Sequence, residues 1–428
     1  MGHSVVTRVL RVFAMLLSVA AMTGCATPPA LMPTPNVYAQ AGGYAQATIP
    51  PALKSNRVDL LYVTDRSPVA DEQGDLGYGS GRSASLAYGA VVVEIGDAVS
   101  WEQLVQASGS SQRAQALPLF VRSRIELGQF PPTPHAFSVV DGMIVEDPVT
   151  TKEHERVAAT FRNEIARRLA FTERKEVLVY VHGYDVSFDE AAADLADIWH
   201  FVERRGIPIV YTWPAAHGGL FGYFADRESG EFTIFHLKQF LRLLASIPQI
   251  DGINIIAHSR GTDVATTALR ELIIEYRAAG RNPRASLRIE NLILAAPDID
   301  SDIVRQRLMA EKFGPAFGQI TVYTTDADAA LDLSETLMTG TRFGRVRESD
   351  LGAREQAIFA QVTNVNFIDV QGVSTFSGHG YFLDNPAASS DVILILKDGA
   401  RPGDPARPLT HKKLNFWELP AAYPGTLQ

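Results

Sequence analysis

The stretch that most constrains this chain is Ile253-Asn254-Ile255-Ile256-Ala257-His258-Ser259-Arg260-Gly261-Thr262. β-Branched and apolar residues run into a small residue, then a serine, then a glycine two places on. A helix-like run from Asp263 to Tyr276 follows at once. A buried parallel strand that turns sharply into a helix with a serine at its apex has this pattern, the nucleophile elbow G-x-S-x-G. The small residues let strand and helix backbones approach while the serine takes a strained conformation. Here the first glycine is replaced by Ala257. Taken alone, the stretch also fits a serine at an ordinary helix N-cap.

The surrounding pattern decides the fold class. Val157, Phe161, Ile165 and Leu169 repeat along one helix face behind a Thr150/Glu153 capping-box signature. Glu176–Val181 reads as a buried strand ending in His182-Gly183-Tyr184, and Ser187 with Glu190 caps a helix to about Glu203. Strands follow over 207–213, 253–257, 289–296, 319–324 and 364–370, with a long helix over 227–246. Such alternation means an α/β fold: a mainly parallel, doubly wound sheet with ligands at the strands' C-terminal ends. Upstream, residues 58–64, 87–95 and 119–127 read as strands, and Asp141-Gly142 suits a hairpin turn within 137–145. Asp65, Arg66 and the Tyr78-Gly79-Ser80 loop read as turn chemistry, with the lining of a site as the alternative. The expected division is therefore 57–148 as a β-rich N-terminal segment packing on a hydrolase-like α/β domain over 149–428.

The first residues read as an address. Arg8 and Arg11 precede an apolar run, Val12 to Ala21, that is short for a membrane span. It ends in Met22-Thr23-Gly24-Cys25, which resembles a bacterial lipobox, and Cys25 is the only cysteine among 428 residues. The expectation is a signal peptide over 1–24, lipidation of Cys25, and a flexible Pro-, Ala- and Gln-rich tether over 25–56. Ala26 after the cysteine points to the outer membrane, facing the periplasm of a bacterial envelope. With a formal charge of −9, no broad basic surface suggests nucleic acid.

A serine hydroxyl needs a base, and the base an acid to orient it. Downstream of Ser259, two strand-end loops offer them: Thr325-Asp326-Ala327-Asp328 and Gly378-His379-Gly380. His379 is the expected base. For the acid, Asp328 ranks first, Asp298 after the next strand second, and Asp326 third. The backbone N–H groups of Arg260 and Tyr184 are the expected oxyanion donors. Trp213, Phe221, Tyr223 and Phe224 are candidates for an apolar substrate wall, with residues 214–226 as either a flap or a packed loop. His258 beside the nucleophile is given no catalytic role. The ten histidines show no H-x-H or H-E-x-x-H grouping, so no metal and no cofactor is expected.

The ordered set of motifs from Val179-Tyr180-Val181-His182-Gly183-Tyr184 through Tyr211-Thr212-Trp213-Pro214 and Ala257-His258-Ser259-Arg260-Gly261 to His379-Gly380-Tyr381-Phe382 resembles a bacterial family of α/β-hydrolases in the esterase/lipase superfamily. The likeness spans roughly 58–400. It implies an α/β-hydrolase fold, and in the family's pattern the aspartate of the Tyr323 loop matches Asp328. Where members often carry methionine after the serine, this chain has Arg260, a cation expected near the site mouth that favours an anionic substrate. The expected function is a serine hydrolase cleaving small-molecule or lipid esters through an acyl-enzyme. An acyltransferase, a peptidase and a non-catalytic surface lipoprotein scaffold are the alternatives.

Overall fold

The computed structural model describes residues 28–425 apart from 41–42, 45–47, 72, 339 and 374–377. The expected signal peptide over 1–24 and Cys25 lie outside the described residues.

Eleven strands form one sheet: β1 (Arg57–Ala70), β2 (Leu76–Ile95), β3 (Leu119–Gln129), β6 (Glu176–Val181), β7 (Ile207–Thr212), β8 (Gly252–His258), β9 (Ile289–Ala295), β10 (Gln319–Thr324), β11 (Val365–Val370), β12 (Thr410–Lys413) and β13 (Phe416–Leu419). The hairpin β4 (Phe137–Val140) and β5 (Met143–Glu146) stands apart, turning at Asp141-Gly142 with both residues at positive φ. The spatial order is β12-β13-β11-β10-β9-β8-β6-β7-β1-β2-β3. From β13 to β1 every neighbouring pair is parallel; β2 and β12 run against this direction, and β3, antiparallel to β2, runs with it. The β-rich N-terminal part thus extends the same sheet rather than packing on a separate one.

The reason is legible in the central strands. Val177, Val179 and Val181 of β6 point into one core, while Leu178 and Tyr180 point into the other. Alternate residues face opposite sides of a sheet, so a continuous apolar run demands cover on both. That cover comes from α1 (Pro148–Leu169), α3 (Gly219–Ala245) and α4 (Gly261–Ala278) on one face. On the other lie α2 (Phe188–Phe201) and α6 (Pro386–Asp398). A shorter helix, α5 (Ala329–Met338), follows β10.

Local signals were displaced in two places. The first turn of α1 is capped by Asp147, whose Oδ2 accepts from Thr150 N at 2.8 Å, rather than by Thr150. Pro148 suits the first helical position, which moves the cap one residue before it. Ser187 and Glu190 form the expected capping box of α2. Helix α3 begins at Gly219, eight residues earlier than the periodicity indicates.

The described part of the 25–56 stretch is not a flexible tether. Leu31, Met32, Tyr38, Tyr44 and Ile49 are buried. Met32 N donates to Asp197 Oδ2 at 2.8 Å, and Tyr38 OH to Phe201 O at 2.5 Å. Apart from the short helix Asn36–Gln40, which holds Tyr38, these side chains fill gaps one at a time, and so short a helix leaves no periodicity to read.

Candidate active site

Ser259 sits between β8 and α4 with φ +53, a left-handed conformation that costs a non-glycine residue about 1–2 kcal/mol. Neighbouring loops hold it there. Its N–H donates to Ala295 O at 2.9 Å, and its carbonyl accepts from Thr262 Oγ1 at 2.6 Å and Asp298 N at 3.3 Å. The glycine two places on is obligatory: a Cβ on Gly261 would stand 2.2 Å from His182 O and 2.8 Å from Val181 O. Ala257, where the pattern has its first glycine, is fully buried between strand and helix neighbours. A Cβ on Gly183 would come within 2.8 Å of Ser259 Cβ, so the loop after β6 passes directly beside the serine.

His379 Nε2 lies 2.6 Å from Ser259 Oγ, and His379 Nδ1 lies 2.8 Å from Asp328 Oδ2. Asp328 is fully buried, and its other oxygen accepts from Ala330 N and Leu331 N, both at 3.0 Å. It therefore stands at the N-terminus of α5, where free amides and the helix dipole favour a carboxylate. A carboxylate only accepts, so His379 Nδ1 carries a proton and Nε2 is left as an acceptor facing the serine. Gly378 makes this approach feasible: it has φ +62, and a Cβ there would meet Ala327 O at 2.0 Å.

His258 supports the arrangement from behind. Its Nε2 donates to the backbone carbonyl of His379 at 3.1 Å, and its ring lies 4.7 Å from that of Phe382. Burial and the adjacent His379 push its pKa down to about 3, so it stays neutral. Sequence reasoning missed this role, because the position gives no sign of which backbone group its ring reaches.

The loop after β6 is held by its own histidine. His182 is fully buried, and its ring stacks on Trp213 at 5.1 Å and 6°. Its Nε2 accepts from Trp213 N at 3.1 Å, and its Nδ1 donates to Gly183 O at 2.9 Å. Burial and the Arg66 guanidinium hold it well below the usual imidazole range. With the Gly183 carbonyl pinned toward His182, the planar trans peptide sends the Tyr184 N–H the opposite way. Arg66 is not a turn residue: it is buried beneath this loop, donating to Val186 O at 2.6 Å, Ala215 O at 3.0 Å and Thr212 Oγ1 at 2.8 Å. Asp65 is likewise buried, against His236 at 2.9 Å.

Six further expectations meet the structure differently. Asp298 does not meet His379; its oxygens accept from Tyr223 OH at 2.9 Å and Ser334 Oγ at 2.7 Å, with Arg342 at 3.7 Å. Asp326 is exposed and paired with Arg347. The Arg260 guanidinium is buried and bound to Asp263 at 2.9 Å, so it does not present an open cation at the mouth. One helical turn separates the pair, a spacing already visible as Arg260/Asp263. Of the apolar wall, Trp213 is fully buried, and its indole Nε1 donates to His182 O at 2.9 Å. It shapes the loop instead of touching a substrate. Phe221 is 87% exposed at the start of α3, projecting into solvent rather than lining a wall. Within 214–226, residues 214–218 form a loop and residues 219–226 the first turns of that helix.

Among curated proteins none matches the sequence. Among solved structures, a predicted CIB-like hydrolase from Thermoplasma acidophilum is similar at 13% identity and a TM-score of 0.27, over 62% of this chain and 96% of its own. A fungal esterase from Rhizomucor miehei is similar at 14% identity and a TM-score of 0.30, over 52% of this chain and 74% of its own. A family model described as alpha/beta hydrolase of unknown function (DUF900) matches residues 157–397, more than half of the chain and the part that carries Ser259, Asp328 and His379. The chain belongs to this alpha/beta hydrolase family.

Proposed function

We propose that the protein is a serine hydrolase cleaving carboxylic esters through an acyl-enzyme. The observation that supports it most is the relay from Asp328 through His379 to a serine held at positive φ, at 2.8 and 2.6 Å. Ser259 Oγ attacks the ester carbonyl as His379 Nε2 takes its proton. The oxyanion falls between the N–H groups of Tyr184 and Arg260. Arg260 stands at the N-terminus of α4, where the first amides have no partner within the helix. Collapse expels the alcohol, protonated by His379, and leaves an acyl ester on Ser259. Water, deprotonated by His379, then releases the acid and restores the serine. Asp328 holds the ring and stabilises its cation throughout.

The substrate class under this reading is a small-molecule or lipid ester. Ser259→Ala should lower turnover of short p-nitrophenyl esters by about 10⁴–10⁶-fold with the circular dichroism spectrum unchanged. Undiminished turnover would remove Ser259 from the mechanism. Turnover of amides, or acyl transfer to an added alcohol in preference to water, would favour the peptidase or acyltransferase reading. A folded protein inert to esters and acylating probes alike would favour the scaffold.

The N-terminal pattern supports a bacterial lipoprotein anchored through Cys25 after removal of residues 1–24, on the outer membrane facing the periplasm. Cys25→Ser should move the protein from the membrane fraction to the soluble one, and retention in the membrane would count against the anchor.

A further inference from the structure

A cavity of ≈ 200 Å³ opens between α1, α3 and the sheet. Tyr88, Phe130, Phe161 and Phe240 give it aromatic walls, and His236 and Thr133 place polar atoms on its lining. It is remote from the catalytic serine: His236 lies thirteen residues beyond Tyr223 along α3, roughly 20 Å at 1.5 Å per residue. Behind the lining sits a second carboxylate–imidazole–hydroxyl array. Asp65 Oδ2 is 2.9 Å from His236 Nδ1, and His236 Nε2 is 3.1 Å from Thr133 Oγ1. Asp65 and His236 are both buried.

The hydrogen-bond roles follow from the donor inventory. The Asp65 carboxylate accepts from Nδ1–H, so in the neutral ring Nε2 accepts from the Thr133 hydroxyl. Thr133 Oγ1 donates its one proton to Nε2 and keeps acceptor lone pairs for the hydroxyl of a ligand. Charge narrows the choice further. The Asp65 carboxylate behind His236 disfavours an anion at the Thr133 end of the array. Burial and the nearby His135 hold His154, at the cavity mouth, below its ordinary range, so it adds no cation. Arg162 and Arg242 at the rim are already paired with Glu155 and Glu275. Size narrows it again: an engineered apolar cavity of about 150 Å³ binds benzene, so this one holds a single ring with one small substituent.

We propose that this cavity is a second binding site, for a neutral single-ring aromatic alcohol of phenol size. Its hydroxyl would donate to Thr133 Oγ1, itself held by His236 Nε2, and its ring would pack among Tyr88, Phe130, Phe161 and Phe240. The site is independent of the ester-hydrolase reading.

The test is calorimetric titration of the full chain at pH 8 with phenol, toluene and benzoate, repeated on Ala158→Phe, which projects a ring into the cavity from α1. Phenol is expected to bind saturably at one site, toluene about fivefold more weakly for want of the hydrogen bond, and benzoate not at all. Ala158→Phe should abolish phenol binding while the far-UV spectrum is retained. Absence of saturable phenol binding, equal binding of phenol and benzoate, or unchanged phenol binding by folded Ala158→Phe would each overturn the proposal. Should that variant fail to fold, the ranking of the three ligands on the unsubstituted protein decides alone.

Discussion

At the scale of single residues, two aspartates compete for one role and the structure separates them by what their oxygens touch. Asp328 meets His379 and the first amides of α5, while Asp298 meets Tyr223, Ser334 and Arg342. Under the proposed mechanism Asp328→Asn should cost about 10⁴-fold in kcat, because an amide no longer enforces the tautomer the serine needs. Asp298→Asn should cost far less in kcat and act mainly on stability. Ester kinetics on both variants check this, and the reverse order would move the acid to Asp298.

His258 offers a pH prediction with a definite sign. Its folded pKa of about 3 lies below the ordinary 6.5, so the unfolded chain takes up a proton that the folded one refuses. Its contribution is complete above the unfolded value and is lost as pH falls from about 6.5 towards 3. Asp194, raised to about 7 by burial, works in the opposite direction over part of this range, so the whole-protein profile is not the readout. The difference in urea stability between the protein and His258→Asn isolates the term. It should shrink by about 2 kcal/mol between pH 7 and pH 5. A difference independent of pH would show that His258 is not held neutral.

At the scale of elements, strands and helices of the centre were readable because their residues face two cores at once. Val177 to Val181 can only be a strand covered on both sides. The strap over 28–53 was not readable, because Leu31, Met32, Tyr38 and Tyr44 follow no period; their burial is decided by the gaps that α2 leaves. Trp213 and Phe221 show the same limit within a site: an aromatic after a strand is visible in sequence, but whether it turns inward or outward is set by what packs around it. The strap carries its own prediction. Tyr38 packs beside Tyr44 and Phe201, so Tyr38→Ala should lower unfolding stability by about 3 kcal/mol. Urea denaturation measures this, and a loss under 1 kcal/mol would mean that the strap contributes little.

At the scale of the whole molecule, one parallel sheet brings three distant strand ends together. Ser259 follows β8, Asp328 follows β10 and His379 follows β11, so crossovers put residues 120 positions apart within 2.6 Å. Their order along the chain was legible because strand-end loops of a doubly wound sheet share one edge. Arg260 was misread for the converse reason, since its neutralising partner is one helical turn away rather than at another strand end. The central claim is that Ser259 forms the acyl-enzyme, and mapping the adduct tests it most directly. After reaction with a fluorophosphonate, mass spectrometry of proteolytic fragments should find one adduct, on the peptide containing Ser259, and none in Ser259→Ala. An adduct on a different residue, or a folded protein that acquires none, would contradict the account.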